Sequence, residues 1–184
     1  MMNRSDAMNL LKEHTKSEAL IRHMLAVEAA MRAYARKFGE DEEKWGITGL
    51  LHDFDYEMYP EAPDHPLKGS EILTQRGYPE DIRTAILGHA TYTNVPRATQ
   101  MAKTLYACDE LCGFIMACAV IRPNKIADLE VSSVKKKLKD KGFARNVNRD
   151  DITQGCAELG VQTDDHIRFV ITAMQSVASD LGLA

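Results

Sequence analysis

The stretch Gly49-Leu50-Leu51-His52-Asp53-Phe54-Asp55 decides how the rest of this sequence is interpreted. An apolar run delivers a histidine and an aspartate side by side at what the pattern predicts to be the end of a helix. Further residues of the same types recur where a helical fold can bring them back to this pair, namely His23 upstream and His65, His89 and Asp109 downstream. Mixtures of imidazole and carboxylate groups bind hard and borderline divalent metals.

Length and composition favour one ordinary globular domain over residues 1–184. The chain is 45% hydrophobic and 27% charged, as is typical of soluble domains. Its formal charge of −4 argues against a general binder of nucleic-acid polymers or membrane surfaces. No apolar run approaches the roughly 18–20 residues that a membrane span needs. The first residues lack the apolar segment of a signal peptide, so the sequence predicts a cytoplasmic protein.

The four cysteines are predicted to be reduced and structural. Cys108, Cys112 and Cys118 share one apolar stretch, Cys156 stands apart, and no Cys-x-x-Cys pair occurs. A thiol in apolar surroundings behaves as a small hydrophobe. A structural zinc site built on these residues is therefore not expected.

The hydrophobic pattern predicts an all-α fold. Apolar residues recur at three- and four-residue steps from Leu20 to Phe38, where Gly39 ends the helix, and His23 lies on the same inward face. The segment Thr15-Lys16-Ser17-Glu18 resembles a capping box ahead of this helix. Other helices are predicted over residues 6–13, 41–53, 66–77, 79–89, 98–121, 134–142, 150–160 and 163–181.

Each candidate ligand also has a simpler explanation when it is taken alone. His23 and His89 are explained as core histidines, and His65 as a residue that caps the helix beginning at Pro66. Asp109 lies in the apolar segment Leu105–Phe114, where an unpaired carboxylate destabilises the fold. An arginine or a hydrogen-bond network can satisfy it as well as a metal can. Together, however, these explanations require inward-leaning polar groups on five successive helices for unrelated reasons.

The order of these residues carries a resemblance. His23, then His52-Asp53, then Asp109 resembles the HD superfamily of metal-dependent phosphohydrolases, which is named after the dipeptide. His65–Leu73 is similar to the His-Pro-x-x-Gly-x-x-Ile-Leu segment of binuclear members. Two further segments, Ala85–Thr91 and Leu105–Asp109, are similar to the helices that carry their next His and closing Asp.

The resemblance implies a single helical bundle of the HD-domain type with additional C-terminal helices. Residues 15–122 would form the metal-binding core and residues 123–184 the helical extension. The match is closer to the binuclear branch that includes bacterial diadenosine tetraphosphate hydrolases, so two divalent ions are expected. The implied metal ligands are His23, His52, Asp53, His65, His89 and Asp109.

Two sequence features separate this chain from some members. Phe54 and Asp55 follow the dipeptide, where many members have a small apolar residue and glycine. Gly77-Tyr78-Pro79 spells the signature of the cyclic-di-nucleotide phosphodiesterases, but it precedes His89, where that motif should follow a histidine pair. It is better explained as a helix stop followed by a helix start.

The implied chemistry is attack of a metal-activated water on a phosphate ester or anhydride of a nucleotide or other small molecule. Asp53 would bridge the ions. Asp53, Asp55 and Lys68 are candidate catalytic residues, and Lys68 is also a candidate contact to the substrate phosphate. Asp64 is a candidate of the same kind as Asp55, for proton transfer or for support of a metal-ligating histidine. A solvated side chain is at least as good an explanation for Lys68, and it is the commoner explanation for loop acids such as Asp55 and Asp64.

Two other functions stay open from the sequence. Relatives of this fold include diiron oxygenases, and a third possibility is a ligand-binding domain that contains metal without turnover. Fold resemblance alone does not decide between them. The residues do not distinguish Fe, Mn, Zn, Mg, Co and Ni, and they do not identify the substrate or the oligomeric state.

Overall fold

A computed structural model describes residues 3–184, and within this range the fold is all-α, with nine helices and no strand. The sequence prediction of an all-α fold is confirmed. A 3₁₀ turn, Thr91–Thr93, lies between the fifth and sixth helices. The helices are α1 (Arg4–His14), α2 (Glu18–Phe38), α3 (Glu42–Leu51), α4 (Asp64–Gln75), α5 (Glu80–His89), α6 (Gln100–Val120), α7 (Val131–Leu138), α8 (Arg149–Leu159) and α9 (Thr163–Gln175).

Helix ends follow the sequence signals in most places. Helix α2 ends at Gly39, whose φ of 72° lies in the left-handed region that glycine tolerates best. The predicted capping box is wrong, because Ser17 caps α2 by accepting from the Leu20 amide, whereas Thr15 donates its hydroxyl to the Phe54 carbonyl. Helix α9 begins after Gln162 and ends at Gln175, six residues before the predicted end at Leu181.

Helix α6 is the central element of the fold. It is buried on most of its surface and packs against α2, α5, α8 and α9. Helices α2 and α3 pack closely as well, since a Cβ added to Gly49 would lie 3.0 Å from the Glu28 Cα atom. These contacts bring the end of α3 and the middle of α6 toward the same face of α2.

The C-terminal helices pack on the core that α6 organises. A Cβ added to Gly155 of α8 would lie 2.7 Å from the Ala107 Cα atom, so the two helix backbones approach closely. Among the described residues, the buried apolar side chains form one cluster that runs from Ala7 to Leu183. The loop before α8 thereby reaches the neighbourhood of Asp109.

The four cysteines are free and buried, as the sequence predicts. None of the helices described for residues 3–184 is both long and apolar enough to cross a membrane.

Candidate metal centre

Six side chains from five segments of the chain meet at one buried cluster. His23 comes from α2, His52 and Asp53 from the end of α3, and Asp109 from the middle of α6. His65 and His89 come from the start of α4 and the end of α5. The structure thus brings together all six residues that the family resemblance names as ligands.

The cluster divides into two groups that share Asp53. The first contains His23, His52, Asp53 and Asp109, and the second contains Asp53, His65 and His89; within each group the potential ligand atoms lie within 4.8 Å of one another. Asp53 Oδ1 lies 3.1 Å from the Nε2 atoms of both His65 and His89. Asp53 Oδ2 faces the first group, at 3.4 Å from His52 Nε2. One carboxylate therefore presents a different oxygen to each group.

Three histidines are held with Nε2 directed into the cluster. His52 Nδ1 donates to the Gly49 carbonyl at 2.8 Å, and His89 Nδ1 donates to the Ile86 carbonyl. His65 Nδ1 donates to Asp55 Oδ1 at 2.8 Å. Because these partners accept hydrogen bonds, the Nδ1 atoms carry the proton. Outer hydrogen bonds of this kind orient metal-ligating imidazoles and fix the tautomer.

The geometry fits a divalent cation. With Nδ1 protonated, the Nε2 atom of a neutral imidazole is an acceptor, and here it faces carboxylate oxygens that also accept. His52 Nε2 lies 3.2 Å from Asp109 Oδ1, and the Nε2 atoms of His65 and His89 each lie 3.1 Å from Asp53 Oδ1. Such acceptor pairs need a proton or a cation between them, and imidazole and carboxylate donors are what Zn, Mn and Fe prefer.

The electrostatics of the cluster also favour positive charge. Burial alone would lower the pKa of His52, but Asp53 and Asp109 outweigh it and raise that pKa well above its ordinary value. Burial likewise opposes protonation of His65, yet hydrogen bonds to Asp53 and Asp55 raise its pKa to about 9. The pKa of Asp53 is well below its usual value, because the facing imidazoles outweigh the effect of burial. The same field that favours protons favours a metal ion.

The cluster opens into a cavity of about 630 Å³. Tyr56 and Tyr92 lie at its exposed side, with relative exposures of 40% and 47%. Its lining also contains Glu110, which follows Asp109 on α6, and three residues from the C-terminal part of the chain, Asn146, Asn148 and Asp151. The cavity is thus built from both the core and the C-terminal helices.

Asp55 is buried and supports the cluster from behind. Its Oδ1 accepts from His65 Nδ1, and its Oδ2 accepts from the Gly69 amide at 2.9 Å. Both carboxylate oxygens are engaged, so Asp55 positions His65. Of the other sequence candidates, Lys68 has a side chain that is 44% exposed, pairs with Glu71 at 3.2 Å, and lies outside the cavity lining. Asp64 is exposed and also lies outside that lining.

Several lining residues have no signal in the sequence. Glu110 Oε2 accepts from the Asn148 amide at 2.9 Å, and Asp151 Oδ1 accepts from the Tyr106 hydroxyl at 2.8 Å. Burial raises the pKa of Glu110 to about 7, and the charge of Asp109 adds to this effect. In the sequence, only the position of Glu110 next to Asp109 could have indicated a role for it at this site. Asn148 and Asp151 reach the cavity because of the way α8 packs against α6.

A family model described as "HD domain" matches residues 20–112. The chain belongs to the HD-domain family. HD domains bind divalent metals and are generally metal-dependent phosphohydrolases, which agrees with the clustered histidines and aspartates. The matched range contains all six clustered residues and ends before the C-terminal helices that complete the cavity.

Two curated proteins resemble part of this chain. Both are named Ribonuclease Y, from Nitratidesulfovibrio vulgaris strains DP4 and Hildenborough, and each is 34% identical over 101 residues. The aligned part is 53% of this chain but only 18% of each relative, so the similarity is to a small part of those proteins. No solved structure gives a significant match.

Proposed function

We propose that this protein is a binuclear metal-dependent phosphohydrolase that acts on a phosphate ester or anhydride of a nucleotide or other small molecule. One observation carries the proposal, the position of Asp53. Each of its two carboxylate oxygens faces a separate group of potential ligands. A single carboxylate placed in this way suits a pair of ions more than one ion. Which ions bind is left open by the donor set.

The residues of the chain have distinct roles in this function. His23, His52 and Asp109 would hold one ion and His65 and His89 the other, with Asp53 shared. When bound, divalent ions lower the pKa of water and polarise phosphoryl oxygens. The chain supplies fixed ligand directions through the Nδ1 hydrogen bonds and a cavity in which the phosphoryl group reaches the cluster. Lys68 would contribute only if the end of its side chain turned from Glu71 toward the cavity.

The first test is metal content per chain, on protein purified without chelator or histidine tag. We expect about two equivalents in the wild type and about one in His89→Ala, because that change removes one of the two non-shared ligands of its group. His14→Ala is the matched control, since His14 lies outside both ligand groups. If the wild type and His89→Ala both contain one metal equivalent per chain, the binuclear form of the proposal is overturned.

The second readout is hydrolysis of a panel of phosphate mono- and diesters and nucleotides by the metal-loaded protein. We expect His89→Ala to lower turnover by at least about 100-fold, because changes to outer-shell partners alone cost about 10–100-fold. No metal after reconstitution with Mn, Fe or Zn would overturn the proposal. Oxygen consumption without phosphate release would overturn it in favour of a diiron oxygenase, and metal without any turnover in favour of a ligand-binding domain.

A further inference from the structure

The cavity wall beside the cluster consists of side chains that are held in place but keep free hydrogen-bonding atoms. Glu110 uses Oε2 to accept from the Asn148 amide, and Asp151 uses Oδ1 to accept from Tyr106. Within residues 3–184 nothing donates to Glu110 Oε1 or Asp151 Oδ2. Asn148 Oδ1 accepts from two backbone amides at the start of α8, which leaves its Nδ2 group free to donate.

The charge of this cavity is unusual for a site that takes phosphates. In the described part of the chain its lining contains no lysine or arginine, whereas four carboxylates, those of Asp53, Asp109, Glu110 and Asp151, lie in it. Two divalent ions would bring four positive charges against the two ligand carboxylates, and the activated water and one phosphoryl group would take up the remaining positive charge. A second phosphate would face Glu110 and Asp151 instead of a cation, and the Asp151 carboxylate would repel it in a partly desolvated cavity.

The same wall suits a different kind of group. Carboxylate oxygens accept hydrogen bonds from hydroxyl and amino groups, and an amide donates to hydroxyl oxygens. A few fixed polar groups of this kind are what give small-molecule cavities their specificity. Glu110 lines the same cavity as Asp53 and Asp109, so this wall lies beside the point where a phosphoryl group would bind.

Building on the proposed function, we infer that the substrate is a phosphomonoester whose remaining part carries hydrogen-bond donors and no negative charge. Glu110, Asn148 and Asp151 bind that remaining part, and they disfavour polyphosphates and polynucleotides. The donors belong either to hydroxyl groups, as in a sugar or nucleoside, or to an amino group. This substrate class differs from the RNA that the name Ribonuclease Y assigns to the two relatives.

The test compares kcat/KM of the metal-loaded protein across charge classes. p-Nitrophenyl phosphate is the reference substrate, because the part outside its phosphoryl group has no hydrogen-bond donor. Ribose 5-phosphate offers hydroxyl donors and phosphoethanolamine offers an amino donor, so comparing these two shows which kind of donor the wall prefers. Adenosine triphosphate, diadenosine tetraphosphate and a short oligoribonucleotide carry additional negative charge. We expect ribose 5-phosphate or phosphoethanolamine to exceed all three polyanions by at least about 10-fold in kcat/KM, since unpaired or repelled polar groups are strongly rejected.

Variants assign the preference to the wall. Asp151→Asn keeps an acceptor for Tyr106 but removes the negative charge. We expect this variant to raise KM for the preferred monoester about 10-fold. The ratio of kcat/KM for that monoester to kcat/KM for adenosine triphosphate should fall as a result. Asp150→Asn is the matched control, because Asp150 is exposed, lies in the same first turn of α8 and is absent from the cavity lining. We expect it to leave the substrate preference unchanged.

The outcomes separate the two proposals. The inference about the substrate is overturned if the polyanions are hydrolysed as fast as the monoesters. It is also overturned if the Asp151→Asn protein keeps the wild-type substrate preference. Neither result would contradict the phosphohydrolase function. A metal-loaded protein that hydrolyses neither p-nitrophenyl phosphate nor any other member of the panel would overturn the proposed function itself.

Discussion

At the scale of single residues, Asp55 holds His65 through one carboxylate oxygen and is itself fixed by the Gly69 amide through the other. Asp55 is buried, with a relative exposure of 1%, and it connects His65 Nδ1 to the Gly69 backbone amide. A Cβ added to Gly69 would lie 2.6 Å from the Asp55 Cγ atom, so any side chain at that position displaces the carboxylate. The orientation of His65 therefore depends on the Asp55 carboxylate and on glycine at position 69, where a side chain would displace that carboxylate.

We predict that Asp55→Asn and Gly69→Ala weaken binding of the ion assigned to His65 and His89. Metal affinity should fall about 10–100-fold, as it does when outer-shell partners of ligating histidines are removed. Titration with Mn or Zn should show one site weakened by this factor and unchanged affinity at the site assigned to His23, His52 and Asp109. Asp64→Asn is the control, and equal affinities in Asp64→Asn and Asp55→Asn would contradict a positioning role for Asp55.

His166 provides a pH prediction that is independent of the metal cluster. Its Nε2 donates to the Ala107 carbonyl at 2.7 Å, so Nδ1 is the acceptor for the Tyr34 hydroxyl at 2.6 Å. Burial lowers the pKa of His166 below its ordinary value. The unfolded chain therefore binds a proton more readily than the folded protein in the range below about pH 6.5, and acidification costs stability.

We expect the free energy of unfolding to fall between pH 7 and pH 5 by less in His166→Gln than in the wild type. Glutamine keeps a donor near the Ala107 carbonyl but does not titrate, and the other ionisable groups are common to both proteins. Losing the Tyr34 contact should cost about 1 kcal/mol at pH 7. Urea unfolding at the two pH values measures both effects, and identical pH dependence in the two proteins would rule out the His166 contribution.

At the scale of helices, local signals predicted where most elements begin and end. Periodic apolar residues and Gly39 defined α2, and the order of histidines and aspartates named the six residues that the fold brings together. The failures arose where distant partners decided the outcome. Thr15 does not cap α2 because its hydroxyl reaches the Phe54 carbonyl, 39 residues away in sequence.

The cavity wall was beyond prediction from the sequence for the same reason. Asn148 and Asp151 reach the cavity because α8 packs closely against α6, at the contact between Gly155 and Ala107. The loop before α8 is further held by Arg149, whose guanidinium donates to the carbonyls of Leu138, Asp140 and Phe143. None of these contacts has a periodic or motif-like signature, so the sequence predicts residues 123–184 only as a helical extension.

At the scale of the whole molecule, the remaining question is whether residues 15–122 and 123–184 fold together. The family match ends at residue 112, yet the buried apolar cluster continues to Leu183. The backbone amide of Asn148 donates to Glu110 of α6, and His166 of α9 contacts both α2 and α6. Removing the C-terminal helices would therefore expose apolar surface of α6 and take away part of the cavity wall.

We predict one cooperative unfolding transition for the whole chain, as expected of one domain. The single tryptophan, Trp45 of α3, is buried and reports on the N-terminal core. Cys156 of α8 is buried too, and labelling of this thiol, followed by mass spectrometry, reports on the C-terminal helices. Because the two regions share one apolar core, both probes should give the same urea midpoint under fixed metal conditions. A Cys156 midpoint at lower urea than the Trp45 midpoint would instead make residues 123–184 a separately unfolding unit, and the cavity would then lose its specificity wall before its metal ligands.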